Sequence, residues 1–370
     1  MKTKRVDKVF LGLSVLLVST GLFVFTSASF GLIFRKGFTL WDVFFDQFVL
    51  GLMLGLIALI LVLYLPLKLL RTYALYIFIA SLALTLLVFV PGIGVESGGA
   101  KRWIFIGSIS FQPAEALKLA TIIYLAALLP LFKDRIMNMK YAYGILGGVL
   151  ALPAIILLAQ PNTSTLAILF VAVCAMLLSA GMKIRHFLIL FLVAILALGV
   201  IATVRPYVKE RVLTFLDASH DPQGASYQIQ KSLIAIGSGG ITGRGFGQSI
   251  QKFGSLPEPT GDSIFAVMGE EFGFIGGAGI IVIFLLFAIR GLQIARRAQD
   301  SFSGLLAVGI VILIITQSFT NIAAMLAIVP LTGVPLVFVS HGGTALFFAL
   351  LEIGILLNIS KLAVHKKISS

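Results

Sequence analysis

The chain alternates between long, uninterrupted apolar stretches and shorter polar connections. Each apolar stretch runs for about 18–27 residues, which is the length that a helix needs to cross the hydrocarbon core of a bilayer. Strands of a membrane barrel would instead be about 10 residues long and alternate between apolar and polar positions. The pattern therefore predicts an all-α polytopic membrane protein of about ten transmembrane helices. We place them near residues 9–29, 46–66, 73–92, 114–132, 142–159, 164–181, 186–204, 263–289, 303–328 and 342–363.

Basic residues precede the first apolar stretch. Lys2, Lys4, Arg5 and Lys8 are followed by the apolar stretch Val9–Ser29. A cleaved signal peptide has an apolar region of only about 7–15 residues. We therefore expect this stretch to be a retained first transmembrane helix.

Two connections are longer and more polar than the others, residues 93–113 and residues 205–262. Cytoplasmic connections of membrane proteins are enriched in Lys and Arg. The connections on the side of the two termini carry 17 of these residues, and the opposite side carries 10, of which six lie in 205–262. Both termini are therefore predicted in the cytoplasm. We expect residues 1–370 to form one membrane domain, with 205–262 as a long extracytoplasmic loop between helices 7 and 8.

The composition supports a membrane protein and excludes several other classes. Hydrophobic residues make up 59% of the chain and charged residues 12%, whereas a soluble domain carries about 25% charged residues. The net charge of +13 is spread over the connections, which fits membrane orientation and anionic lipid rather than nucleic acid. The single cysteine, Cys174, excludes an intrachain disulfide and a Cys-rich metal site.

Ionisable residues inside predicted membrane helices usually mark a functional path or a buried pair. Glu115 and Lys118 are three residues apart and can share a helix face, either as a structural ion pair or with Lys118 facing an anionic substrate group. Adjacent Glu270 and Glu271 cannot face the same way, and we expect them to give structural support. Glu352 needs a buried partner, and its role is open.

The long segment 205–262 contains an amphipathic part and a glycine-rich part. Ser226–Gly240 could lie along the membrane surface. Gly237–Gly247 resembles a phosphate-binding loop, but the GK[ST] of the Walker pattern is missing. Close packing of backbone over a helix or a lipid headgroup is the better interpretation.

Asp262 ends the long segment at the mouth of the predicted eighth helix. An aspartate at this position is commonly a helix N-cap. Alternatively, partial desolvation at the boundary of water and lipid would raise its pKa and make it a general base. Position alone leaves both possibilities open.

Four motifs resemble the SEDS family (shape, elongation, division and sporulation) of peptidoglycan glycosyltransferases, and together they span nearly the whole chain. GAKRWIFIGSISFQPAEALK at 99–118 is similar to the family's GARRWI…QPSE…K element. YQIQKSLIAIGSGGITGRGFGQSIQK, LPEPTGDSIFAVMGEEFGFIG and PLTGVPLVFVSHGGTAL follow in the family's order. The Gln251-Lys252 pair leans toward the division branch, FtsW, rather than the elongation branch, RodA.

The chain departs from the family pattern at a few polar positions. The family's HTD reads Thr260-Gly261-Asp262, so that the acid is kept without its histidine. Asn162 replaces an aspartate, Ala114 a serine, and His341 the tyrosine of SYGG. These departures put in doubt a shared proton or metal role at those positions.

The resemblance implies that lipid II is polymerised on the outer face of the bacterial cytoplasmic membrane. In this interpretation Asp262 is the general base for the acceptor hydroxyl, and fixed cations stabilise the pyrophosphate leaving group. The candidate substrate-binding residues are Lys101, Arg102, Glu115, Lys118, Lys252 and Arg244. Alternatively, Lys101 and Arg102 could anchor the chain at the membrane interface beside Trp103. Trp103 itself is expected to give structural support.

The resemblance also implies partners. These are lipid II with undecaprenyl-linked glycan, a class B penicillin-binding protein, divisome membrane proteins at the septum, and bilayer lipid, without nucleic acid. The resemblance implies no definite cofactor. A divalent cation, Mg²⁺ or Mn²⁺, is an open alternative, although the sequence shows no evident set of metal ligands. The competing functions are an elongation-type (RodA) polymerase, a lipid II flippase and a non-catalytic scaffold.

Overall fold

The computed structural model describes residues 5–36, 44–97, 100–106, 109–217, 221 and 224–362. Most of this chain is helical. The helices are α1 (Lys8–Lys36), α2 (Phe45–Tyr64, π-helical over Phe45–Leu54), α3 (Leu67–Thr72), α4 (Ala74–Leu86), α5 (Pro113–Leu128), α6 (Met139–Ala159), α7 (Thr163–Ser179), α8 (Ile184–Val204), α9 (Pro206–Leu216), α10 (Ala225–Ser238), α11 (Gln251–Gly254), α12 (Ile264–Arg296), α13 (Ser301–Met325) and α14 (Gly343–Leu362). Short 3₁₀ turns follow α4 at Leu87–Phe89 and α5 at Leu129–Phe132. The strands are β1 (Gly94–Ser97), β2 (Ala100–Ile106) and β3 (Ile109–Phe111).

The apolar helices confirm the predicted polytopic membrane class. Eight of the described helices are long and apolar enough to cross a membrane, and α4 with its 3₁₀ turn and α7 are shorter apolar helices. Each coincides with one of the ten predicted stretches, while the exact number of crossings stays a prediction. Helices α13 and α14 are mostly buried, whereas α8 is almost entirely exposed. The protein core therefore lies around α13 and α14, and α8 presents its surface to lipid.

The polar connection at 93–113 is a three-stranded antiparallel sheet in the order β1-β2-β3. Gly94 pairs with Ile104, which pairs on its other side with Phe111. Thr344 at the start of α14 accepts a hydrogen bond from Gln112 N (3.3 Å) and donates one to the carbonyl oxygen of Ser110 (2.8 Å). These bonds hold the sheet over the end of α14.

The long segment 205–262 is not a simple loop. The predicted amphipathic stretch forms α10, as expected, but the segment also contains α9 and the short α11. Helix α9 begins with Pro206 at its first position, where proline's fixed φ favours a helix start. The long connection between the seventh and eighth predicted membrane helices therefore contains helices of its own.

Helix α12 is broken at Gly273, where φ is 63° and ψ is −161°. The glycine-rich run packs its backbone into this break. The amide of Arg244 donates to the carbonyl oxygen of Glu270 (3.0 Å). The amide of Phe274 donates to the carbonyl oxygen of Gly240 (2.9 Å). A Cβ at Gly243 would overlap the carbonyl oxygen of Glu271. The prediction of close backbone packing over a helix is thus confirmed.

Candidate functional site

A cavity of about 390 Å³ lies where the sheet, the end of the long segment and the start of α14 meet. Its lining is rich in polar and charged groups drawn from parts of the chain that are distant in sequence. The lining residues include Asp46, Arg102, Trp103, Ser110, Glu115, Lys118, Asn162, Glu258, Asp262, Gln317, Gly333 and His341. Asp262, Arg102, Trp103, Glu115 and Lys118 of the predicted site are therefore brought together.

Asp262 is held by its backbone rather than by its side chain. Asn321 Nδ2 donates to the carbonyl oxygen of Asp262 and to that of Val334, each at 2.8 Å. Ser340 Oγ donates to the carbonyl oxygen of Gly261 at 2.8 Å. The residue that precedes α12 is Ser263, and no side-chain capping bond is present there. The N-cap alternative for Asp262 is therefore not realised, and its carboxylate remains available in the cavity wall.

The surroundings of Asp262 raise its pKa to about 6. Burial is the main cause, because desolvation disfavours the ionised carboxylate, and the negative charge of Glu258 adds to it. Arg211 and Arg102 oppose the rise. A carboxyl group with this pKa is mostly ionised at pH 7, and it is more basic than an ordinary aspartate.

Arg102 reaches the cavity from β2. Its Nε donates to the carbonyl oxygen of Gln160 at 3.3 Å, and its Nη2 donates to that of Pro161. Gln160 is itself fixed, since its Nε2 donates to the carbonyl oxygen of Thr85 at 3.0 Å. Neighbouring Lys101 is exposed and does not line the cavity. The two predicted cations of this element are thus separated, and only Arg102 is in the site.

Arg211 is a second cation near Asp262, and it was not among the residues predicted from the sequence. Its Nη1 donates to Ser164 Oγ and to the carbonyl oxygen of Thr332, each at 3.2 Å. A Cβ added to Gly333 would lie 3.5 Å from both Arg211 Nη2 and Asp262 Oδ2, so the two charged groups flank this glycine. Arg211 lies on α9, and the proline that starts this helix is the signal that could have revealed it.

Glu115 and Lys118 form the inner wall of the cavity. Lys118 Nζ lies 2.9 Å from Glu115 Oε2 and donates to Gln317 Oε1 at 2.5 Å. Both side chains are almost fully buried. The predicted ion pair is therefore present, and the same pair lines the cavity. Glu352 lies next to it, around a small void shared with Glu115 and Lys118.

Lys252 and Arg244 lie outside this cavity. Lys252 is fully buried, and its Nζ contacts Glu271 Oε1 at 2.6 Å and Ser27 Oγ at 2.9 Å. Arg244 Nε lies 3.5 Å from Glu270 Oε1. The structure thus does not support a shared substrate site for these two cations, because the carboxylates of α12 hold both of them.

Glu270 and Glu271 support the structure, as expected, but both contact the same loop. Glu270 accepts hydrogen bonds from Ser249 Oγ (2.6 Å) and from the amide of Ile250 (3.0 Å). Glu271 accepts one from the amide of Ser249 (3.3 Å). Both carboxylates reach residues 249–250 although adjacent residues of a helix face different ways, because this loop passes the helix just before its break.

Comparison with known proteins decides the family. The model of the FtsW/RodA/SpoVE family of cell-cycle proteins matches residues 7–365. The chain belongs to this family. It is 35% identical over 357 residues to a probable peptidoglycan glycosyltransferase FtsW from Geobacter sp., covering 96% of each chain. It is 36% identical over 291 residues to stage V sporulation protein E from Bacillus subtilis, covering 79% of this chain and 80% of the relative.

Solved structures show the same fold. One, described as "Structural coordination of polymerization and crosslinking by a peptidoglycan synthase complex", is 26% identical, with a TM-score of 0.81 over 98% of this chain and 99% of that chain. The rod shape determining protein RodA of Thermus thermophilus is 23% identical, with a TM-score of 0.69 over 98% of both chains. The predicted membership and the predicted polytopic fold are therefore confirmed.

The departures from the FtsW/RodA/SpoVE family pattern at Asn162, Thr260, Gly261 and His341 line the cavity, whereas Ala114 does not. The amide of His341 donates to the carbonyl oxygen of Thr260 at 2.7 Å, and its ring stacks on Phe25 at 5.7 Å. Asn162 Oδ1 accepts a long hydrogen bond of 3.4 Å from the amide of Thr165. Asp46 was not singled out in the sequence, where it looks like the ordinary acidic start of a helix. Ser110 Oγ donates to its Oδ2 at 2.7 Å.

A metal site was an open alternative. Among the residues that the structure describes, no three His, Cys, Asp or Glu side chains are placed to hold a metal ion together. Arginine and lysine are instead the groups that face the acidic centre of the cavity. The residues present can therefore supply positive charge to an anionic substrate directly.

Proposed function

We propose that this protein is a peptidoglycan glycosyltransferase that polymerises lipid II into glycan strands at the outer face of the cytoplasmic membrane. The observation that carries the proposal is Asp262, a half-buried carboxylate of raised pKa that lines one cavity with Arg102 and has Arg211 close by. The relatives named as probable peptidoglycan glycosyltransferases support the same activity.

The reaction joins two lipid-linked sugars. The 4-hydroxyl oxygen of the acceptor lipid II attacks the anomeric carbon of the growing glycan, and the bond from that carbon to the pyrophosphate oxygen breaks. Asp262 accepts the hydroxyl proton as the new bond forms, which typically contributes about 10²–10⁴-fold. Undecaprenyl pyrophosphate leaves with the electron pair of the broken bond.

Fixed cations stabilise the charge that develops on the leaving group. Arg102 and Arg211 are held by carbonyl oxygens of the protein, so that they need little reorganisation when that charge develops. Lys118 is already paired with Glu115, and it adds charge from deeper in the cavity. The exposed Lys101 is better explained as an interface anchor near Trp103.

Family membership supports a proposed location and proposed partners. The chain is a multi-pass membrane protein, and we propose that it acts at the division septum with divisome membrane proteins. The similar structure described as a peptidoglycan synthase complex couples polymerisation with crosslinking. A class B penicillin-binding protein, as the crosslinking enzyme, is therefore the proposed partner of this chain.

A second candidate function is lipid II translocation. The observation that favours it is the polar column of Glu115, Lys118, Gln317 and Glu352, which extends from the cavity toward the membrane interior. A transporter could use such a column as a path through the bilayer. It would not need a basic carboxylate at the outer surface, which makes polymerisation the better supported activity.

The test uses the purified protein with its penicillin-binding partner and labelled lipid II. Glycan chains that lengthen with time on a gel support the polymerase. Translocation of lipid II across proteoliposomes without any glycan product would overturn it in favour of the transporter.

A further inference from the structure

Three buried polar atoms of the cavity lining have no hydrogen-bond partner in the described part of the chain. They are Asp46 Oδ1, Asn162 Nδ2 and His341 Nε2. A buried polar atom without a partner is costly to keep, and native proteins leave few of them. Three such atoms in one cavity are therefore candidates for binding a polar ligand.

The rest of each side chain is fixed in place. Asp46 accepts from Ser110 through its other oxygen, and Asn162 uses its carbonyl oxygen at the start of α7. His341 is tied by its backbone to Thr260, and its ring stacks on Phe25. Each of the three therefore has one polar atom left for a ligand and little freedom to move that atom elsewhere.

The chemistry of these atoms differs from that of the Arg102 and Arg211 side chains. Asp46 offers a carboxylate oxygen, which accepts hydrogen bonds and repels phosphate, and Asn162 offers an amide N–H, which donates. Burial lowers the pKa of His341, against the opposing effect of the Asp46 charge, so the imidazole is neutral and Nε2 can donate or accept. Such a mixed, largely uncharged set suits hydroxyl and acetamido groups. The pyrophosphate suits Arg102 and Arg211.

We propose that Asp46, Asn162 and His341 form a subsite for the uncharged polar groups of a substrate sugar, next to Arg102 and Arg211, which receive the pyrophosphate. The inference rests on the proposed function for the identity of the sugar-linked substrate. It assigns the position of the sugar within the cavity, which the activity itself does not specify.

The decisive variant is His341→Phe. Phenylalanine keeps a ring that can stack on Phe25 and removes Nε2. If His341 were only structural, this change would leave ligand binding alone and keep or improve stability, since an unpartnered buried polar atom is lost. A matched control is His186→Phe, because His186 is also buried, has an unpartnered Nδ1 and packs against Tyr143, yet lies outside the cavity.

The measurement compares two ligands on the full-length protein in lipid nanodiscs. Lipid II carries the sugars, whereas undecaprenyl pyrophosphate lacks them. His341→Phe is expected to weaken lipid II binding about three- to tenfold, the effect of one lost hydrogen bond, and to change undecaprenyl pyrophosphate binding less than about twofold. His186→Phe is expected to leave both affinities as in the wild type.

Asp46→Asn serves as a second variant in case His341→Phe does not fold. It can retain the bond from Ser110, and it is expected to show the same selective loss of lipid II. Unchanged lipid II affinity in the folded variants, or an equal loss for both ligands, would overturn the subsite. Wild type that binds lipid II but forms no polymer would instead overturn the proposed polymerase and leave the subsite supported.

Discussion

At the residue scale, the chemistry of the cavity depends on the charged groups that change the pKa of the Asp262 carboxyl group. Burial and the charge of Glu258 raise the pKa of Asp262, and Arg211 and Arg102 oppose them. A general base works best when its pKa lies near the working pH. The balance of these four influences therefore decides how much of Asp262 is ionised under cellular conditions.

The first prediction concerns pH. Because Asp262 must be ionised to accept a proton and its pKa is raised to about 6, activity should fall as pH drops through that value. We expect kcat/KM for lipid II to fall about tenfold between pH 7 and pH 5, in proportion to the ionised fraction. Initial polymerisation rates measured between pH 7 and pH 5 test this prediction. A flat profile would mean that another group is the base.

The second prediction uses the two neighbours of opposite charge. Arg211→Gln removes an influence that lowers the pKa of Asp262, so the acidic limb of the rate profile should move to higher pH. Glu258→Gln removes an influence that raises it, so the limb should move to lower pH. Both profiles are measured beside the wild type at equal lipid II saturation. Shifts in the same direction for both variants would contradict this electrostatic account.

Some of the site could be predicted from the sequence at this scale, and some could not. Glu115 and Lys118 were identified because a charge inside an apolar helix is unusual, and Asp262 because it lies at the mouth of a predicted helix. Arg102 and Lys252 were carried over from the family resemblance, yet the charge of Lys252 is taken up by Glu271. Charge alone does not identify the partner, since the loop path that brings these two together is a tertiary feature.

At the scale of elements, the long segment is attached to α12 by backbone packing and buried charge. The glycine-rich run enters the break at Gly273, and Glu271 holds Lys252 and Ser27. These contacts fix the chain shortly before it reaches Asp262. We infer that the stability of this junction sets the position of the carboxylate.

The third prediction tests the glycine packing. Gly243 has a φ of +81°, and a Cβ there would overlap the carbonyl oxygen of Glu271, so Gly243→Ala should destabilise the protein and lower activity. Gly237→Ala is the matched control, because it lies in α10 with open space around its Cβ. Thermal unfolding in detergent should show a lower Tm for the first variant only. An equal Tm for both would exclude a tight junction.

The fourth prediction concerns the buried ion pair. Lys252→Met leaves the fully buried Glu271 without its cation, and removal of one partner of a buried pair typically costs about 3–5 kcal/mol. Adding Glu271→Gln to Lys252→Met should recover part of that loss, because the unpaired charge is gone. Chemical denaturation of the three proteins measures the difference. No recovery in the double variant would indicate that packing, rather than charge, holds the loop.

The limits of prediction at the element scale follow from element length. Helices α1 and α13 are visible because their apolar stretches are long. The three strands of the sheet and the 11-residue α9 are too short to give a periodic signal beside such stretches. Arg211 was therefore missed together with the helix that carries it.

At the scale of the whole molecule, the membrane helices form a frame, and the polar cavity that contains Asp262 lies at one end of it. Its walls come from α2, the sheet, α5, the turn between α6 and α7, the end of the long segment, α13 and the start of α14. The cavity brings residues of 93–118 together with Asp262 at the end of the long segment. Which cations take part depends on how these distant segments pack, which the local pattern does not contain.

The central claim is that Asp262 is the base for lipid II polymerisation. Asp262→Asn keeps the size of the side chain and the backbone bonds from Asn321 and Ser340, so the variant should fold with an unchanged or higher Tm and still bind lipid II. The direct measurement is its initial polymerisation rate with saturating lipid II and the penicillin-binding partner, relative to the wild type. We predict a loss of about 10²–10⁴-fold; a folded variant that polymerises lipid II at the wild-type rate would contradict the claim.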